Sequence, residues 1–217
     1  MLTLVEEIVL LMIDEKGSFI PVRETAVDYS IAGATLMGLA FANRIDTDSE
    51  HLTVIDSSPT DSALLDRALT LITSSEEAKL PSAWIEVLAT DEARSMREMA
   101  LDSLIEQGIL ERSGSTFMWV FERVRHPIIG DREERAVKRR IADVLLSDGI
   151  PEQRDAALIC LADACGILPA IFSVQEIKKA RPRIEQLRKL DLIGREMNGA
   201  IEEIERSIII AMSHMPH

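Results

Sequence analysis

With 37 acidic residues against 24 basic in a chain of 217, the formal charge is −13. That excludes a general nucleic-acid binder and a membrane role driven by overall charge, so any anion site must be a local basic patch on an acidic body. Apolar residues make up 47% and aromatics only 4%, so one large or two small domains are possible, with cores of Leu, Ile, Ala and Met.

Apolar positions from Leu2 to Ile13 predict a first helix with a wide buried stripe, with Glu6 and Glu7 on its wet edge and suited to the positive end of the helix dipole. The apolar stretch is short and follows glutamates, unlike a signal peptide, and no run approaches the length of a membrane span. Lys16-Gly17 ends this helix, and Ser18 to Val22 reads as a loop or short strand. A second helix is predicted from Glu24 to Asn43, with small residues around Gly33 that let another helix approach closely. Two short strands joined by a turn come next, through Ile45 and His51-Ile55.

A third helix is predicted over 61–73, and Pro81 opens a short one through Trp84 and Leu88. Residues 93–125 form the stretch on which the functional reading rests: an amphipathic helix, a Ser-Gly-Ser turn and a hydrophobic, aromatic strand. A charged helix is expected over 131–147 and a central apolar one after Pro151. Ser173 and Glu176 have the spacing of a capping box, and Pro182 is expected to break or kink the chain at that point. Helical segments over 183–193 and 196–212 complete the chain.

Leu36, Leu39 and Ile45 recur as Leu101, Leu104 and Leu110 at a constant offset. The echo reads as a repeated helix-plus-hairpin unit. The pattern along the chain is therefore mainly α, with short β-hairpins following helices.

Chemistry-bearing motifs are sparse. No dinucleotide-binding glycine fingerprint, phosphate-binding loop or nucleophile elbow occurs. Cys160 and Cys165 are five apart, poorly placed for a disulfide or a shared metal, and read as buried thiols. No metal or cofactor is expected. Arg94 and Arg97 share a helix face; Asp91 and Glu98 flank Arg94, whereas Arg97 has no carboxylate three or four residues away and so is available to an external anion. A helix followed by a two-stranded wing is also the grammar of winged-helix DNA-binding domains. The outer face of this one carries Glu98, Asp102 and Glu106, which repel phosphates.

Read end to end, the chain resembles the Golgi phosphoprotein 3 family of peripheral membrane proteins. The resemblance is carried by Leu2-Thr3-Leu4-Val5-Glu6-Glu7, by Gly33-Ala34-Thr35-Leu36-Met37, and by Trp84-Ile85-Glu86-Val87-Leu88. Arg94, Met96-Arg97-Glu98, Leu104 to Leu110, His126-Pro127-Ile128 and Ala157 to Ala164 extend it over nearly the whole chain. It implies a single compact helical domain over 1–217 and a non-enzymatic, cytoplasmic, peripherally membrane-associated adaptor that binds phosphatidylinositol 4-phosphate-like headgroups. The family pocket uses one tryptophan and three arginines. Arg94 and Arg97 match two of the arginines, while Arg23 stands at the tryptophan position and Ala32 at that of the third arginine. Half the pocket is thus changed, and the short loops look like those of a bacterial or minimal member. The hairpin 109–124, with Phe117, Trp119 and Phe121, corresponds to the element that contacts membrane or a second protomer. A protein-interaction scaffold without lipid binding and a winged-helix regulator are the alternatives.

Overall fold

The computed structural model describes residues 2–14, 18–47, 51–77, 79–111, 131–189 and 198–214, with side chains given except at 131–132, 189 and 198–205. The first helix, α1 (Leu4–Leu11), is buried along its whole length. Thr3 caps it: the Glu6 backbone N–H donates to Thr3 Oγ1 at 3.2 Å, and the Thr3 N–H donates back to the Glu6 carboxylate at 2.6 Å. This reciprocal capping box satisfies two donors that a helix start otherwise leaves open.

The wet edge expected at Glu6 and Glu7 does not exist; they are only 5% and 3% exposed. Helices close over both sides of α1, and each carboxylate meets donors from far along the chain. Glu6 accepts from Ser103 Oγ and Gln107 Nε2, both at 2.6 Å. Glu7 pairs with Arg140 at 2.6 Å and Arg154 at 3.1 Å. Arg140 also pairs with Asp155 at 2.7 Å, and Arg154 donates to the Leu2 carbonyl. Buried charge is tolerated because every carboxylate oxygen finds a cationic or polar donor.

The long helix α2 (Glu24–Phe41) lies beside α1 and also packs on α3 (Ala63–Thr73), α4 (Pro81–Thr90), α5 (Ala93–Glu106), α7 (Gln153–Ala164) and α10 (Asn198–Ser213). Its small residues serve the predicted close approach. A Cβ at Gly33 would overlap Ile208 Cδ1 on α10 and come within 2.9 Å of Leu161 Cδ1 on α7. Strands β1 (Ile45–Thr47) and β2 (Leu52–Val54) pair antiparallel, with Ile45 opposite Val54 and Thr47 opposite Leu52.

The internal echo has a structural counterpart at the helix ends. After α2 the chain turns through Asn43 at φ +53°, with the Arg44 N–H donating to the Leu39 carbonyl at 2.9 Å. After α5 it turns through Gly108 at φ +70°, and the Ile109 N–H donates to the Leu104 carbonyl at 2.9 Å. Both are left-handed caps that hand the chain back along its helix. The rest of the second hairpin lies outside the described residues.

The remaining helices are α6 (Asp131–Leu146), α8 (Leu168–Ile171) and α9 (Val174–Lys189). The predicted capping box at the start of α9 is present, with Ser173 N–H to the Glu176 carboxylate at 2.8 Å and the reverse bond at 3.3 Å. Pro182 does not break α9, which runs on as one helix. Tertiary contacts span the proline and outweigh its local cost. Ala180, Ile184 and Leu187 are buried, and Arg181 and Arg188, on either side of it, both pair with Asp163 of α7.

The α7 helix is central, as its apolar pattern implies. Cys160 and Cys165 are buried free thiols, and burial pushes the Cys165 pKa up to about 12. The buried apolar residues form one cluster running from Leu4 to Met212.

Candidate functional site

The inward face of α5 is Met96, Ala100, Leu101 and Leu104, all buried. That face fixes the direction of the two arginines in the helix's first turns. Arg94 projects into solvent with 88% of its side chain exposed and pairs through Nε with Glu98 at 3.0 Å. Its other neighbour, Asp91, lies against the Thr90 hydroxyl.

Arg97 corrects the sequence expectation. It has no carboxylate partner within α5, but the start of α2 supplies two. Nη1 meets Glu24 at 3.1 Å and Nη2 meets Asp28 at 2.5 Å. These acids are 73 and 69 positions away, so helix periodicity around Arg97 cannot reveal them. The only signal is that Glu24 and Asp28 stand four apart and therefore share one face of α2.

The two acids differ in setting. The Asp28 side chain is 12% exposed and that of Glu24 is 77% exposed. Burial raises the pKa of Asp28, and the Arg97 guanidinium offsets this only in part. For Arg97, burial opposes the charge, but the bonds from Asp28 and Glu24 together outweigh it and raise the pKa. Arg97 Nε is buried without a hydrogen-bond partner.

Arg23 is exposed at the N-cap of α2, immediately before Glu24. The packing of α5 on α2 sets Arg97 against Glu24, the residue next to Arg23 in the chain, with Arg94 one turn away on α5. No side chain caps the first turn of α2, which leaves backbone donors there in want of an anion or water. Position 32 contributes nothing, because Ala32 is fully buried. Phe117, Trp119 and Phe121 lie outside the described residues, as does the hairpin beyond Glu111. Among the described residues, no group of three His, Cys, Asp or Glu side chains is disposed to hold a metal, and no helix is long and apolar enough to cross a membrane. The winged-helix reading gains nothing, since Glu98 and Glu106 are exposed on α5.

Comparison with known proteins agrees with the family resemblance. The chain is 27% identical over 212 residues to a vacuolar protein sorting-associated protein 74 from Eremothecium gossypii, covering 82% of this chain and 63% of that protein. It is 26% identical over 223 residues to the protein of the same name from Schizosaccharomyces pombe, covering 86% and 66% respectively. It thus spans just under two thirds of the length of these curated relatives. The sequence model described as Golgi phosphoprotein 3 (GPP34) matches residues 4–204, and the chain belongs to that family.

Proposed function

We propose that this protein is a non-enzymatic adaptor that docks reversibly on membranes by binding anionic phosphate headgroups of the phosphatidylinositol 4-phosphate type. The observation that carries the reading is the partly exposed guanidinium of Arg97, one turn from Arg94 and in contact with Glu24, which follows the exposed Arg23 at the start of α2. Guanidinium forks match phosphate oxygens through charge-assisted bonds, and a helix start adds backbone donors. Membership of the family and relatives named for vacuolar protein sorting suit a place in membrane traffic. The arginines are the phosphate ligands. Phe117, Trp119 and Phe121 supply membrane contact or self-association, and a second copy adds avidity to a weak single patch.

The test is cosedimentation with vesicles of phosphatidylinositol 4-phosphate, phosphatidylglycerol or neutral lipid alone. Wild type should bind acidic vesicles, and Arg94→Ala/Arg97→Ala should lose that binding. Removing Arg97 strands Asp28, so thermal melting and the single variant Arg94→Ala accompany it. Unchanged binding by a folded double variant would remove these arginines from the site.

A second reading is favoured by one observation: the acids on Arg97 leave little charge for an external anion. In that reading the family fold is kept for protein contacts, and wild type binds no vesicle of any composition.

A further inference from the structure

We infer that Glu24 is an internal anion seated where the headgroup phosphate binds Arg97, and that it acts as a threshold favouring doubly charged phosphomonoesters over singly charged phosphodiesters. This rests on the proposed headgroup binding and adds the residue that sets its selectivity.

Two carboxylates share one guanidinium, and they are not equivalent. Asp28 is packed against Arg97 with 12% of its side chain exposed and the shorter contact, 2.5 Å. It positions the guanidinium and cannot leave without stranding a half-buried charge. Glu24 holds Nη1 at 3.1 Å, with 77% of its side chain in water. An ion pair so exposed is worth little, because water and salt screen it and both side chains lose rotamer freedom in making it. Glu24 can therefore swing out and return its charge to solvent at small cost. The Nη1 donor it releases lies beside the first turn of α2, where Glu24 is itself the first helical residue.

The local charge balance supplies the threshold. Arg94 and Arg97 are two positive charges, and the carboxylates paired with them, Glu98, Glu24 and Asp28, are three negative ones. With Glu24 in place this group carries no net attraction for an anion. A phosphodiester brings a single charge and merely exchanges one monoanion for another. A phosphomonoester carries about −1.5 to −2 near neutral pH, with three acceptor oxygens. It gains more from the guanidinium and from the helix start than Glu24 forgoes.

The experiment measures binding of wild type, Glu24→Gln and Glu24→Ala to three vesicle types: phosphatidylinositol 4-phosphate, phosphatidylglycerol and neutral lipid. Thermal melting serves as the fold control. Glu24→Gln and Glu24→Ala should bind phosphatidylglycerol vesicles roughly two- to fivefold tighter than wild type, the range expected of an exposed ion pair. The preference for the monoester lipid should shrink accordingly. Excess inorganic phosphate should compete with the vesicles, as it presents the same chemistry without a bilayer. If wild type binds in an Arg94-dependent manner but the Glu24 variants bind no tighter, or phosphate does not compete, the threshold is wrong and the proposed function stands. If neither wild type nor the variants bind any vesicle, the proposed function fails and the threshold with it.

Discussion

Glu7 and Glu24 are the same residue type, each paired with arginine across helices, and they do opposite work. Glu7 is 3% exposed and is held by Arg140 and Arg154 from two different helices. Glu24 is 77% exposed and holds one corner of a guanidinium that Asp28 already fixes. Solvent access separates them. A buried carboxylate that loses its partners has nowhere to place its charge, so the pair behaves as a clamp. An exposed one trades the guanidinium for water at almost no cost, so the contact is exchangeable. The same division separates the Asp163 clamp between α7 and α9 from the solvent-facing pair of Arg94 and Glu98.

The comparison breaks first at Glu7. Glu7→Ala should cost about 3 kcal/mol in urea unfolding, near the lower end for a broken buried pair because Arg140 and Arg154 reach water and Arg140 keeps Asp155. A loss under about 1 kcal/mol would put Glu7 among ordinary surface positions. Asp163→Ala should come next, at about 2 kcal/mol, since Arg181 and Arg188 are left without their shared carboxylate but are partly solvated. Hydrogen exchange should show the protection lost mainly in α9; a uniform loss across the helices would deny the clamp its local role.

Thr3→Ala removes one half of the α1 capping box and should cost about 1 kcal/mol. Retention of full stability would mean the burial of α1 alone fixes its start. Glu176 sharpens the exposed side of the comparison through pH. Its bonds to the Ser173 hydroxyl and backbone lower its folded pKa below the ordinary 4.5. A carboxylate depressed in this way stabilises the fold fully above its unfolded pKa, and the contribution disappears as pH falls through the folded value. The stability gap between wild type and Glu176→Gln should therefore close in acid below the carboxylate range; a gap that widens there contradicts the cap. The smallest effect is expected at Arg94, where replacement by Ala should change stability by no more than about 0.5 kcal/mol while weakening vesicle binding. A substantial stability loss would make Arg94 a structural residue.

The legible parts of this fold are those set by neighbours in sequence. Helix periodicity gave most helices of the described residues nearly in place, the short α8 and the unbroken α9 excepted, and Gly33 announced a close helix contact that Ile208 and Leu161 then occupy. The offset echo between the chain near Leu36 and near Leu101 read as a repeated helix-plus-hairpin unit, and among the described residues its counterpart is the pair of left-handed turns at Asn43 and Gly108. The capping box of α9 was readable from Ser173 and Glu176 alone. At the candidate site, the shared face of Arg94 and Arg97 was readable, and so was the Arg94–Glu98 pair.

Which groups meet across the fold could not be read. Glu6 and Glu7 look like the wet edge of a helix, because polarity in sequence does not say what packs against it; donors from α5, α6 and α7 close over them. Arg97 looks unpartnered because its acids arrive from α2. Pro182 looks like a helix breaker because its cost is local, whereas the Asp163 clamp that spans it is tertiary. The sequence by itself determined the helices, their caps and their apolar stripes, since these depend on residues within one turn of each other. Only the tertiary structure decided which charges are clamps and which are exchangeable, since that depends on solvent access and on partners tens of residues away.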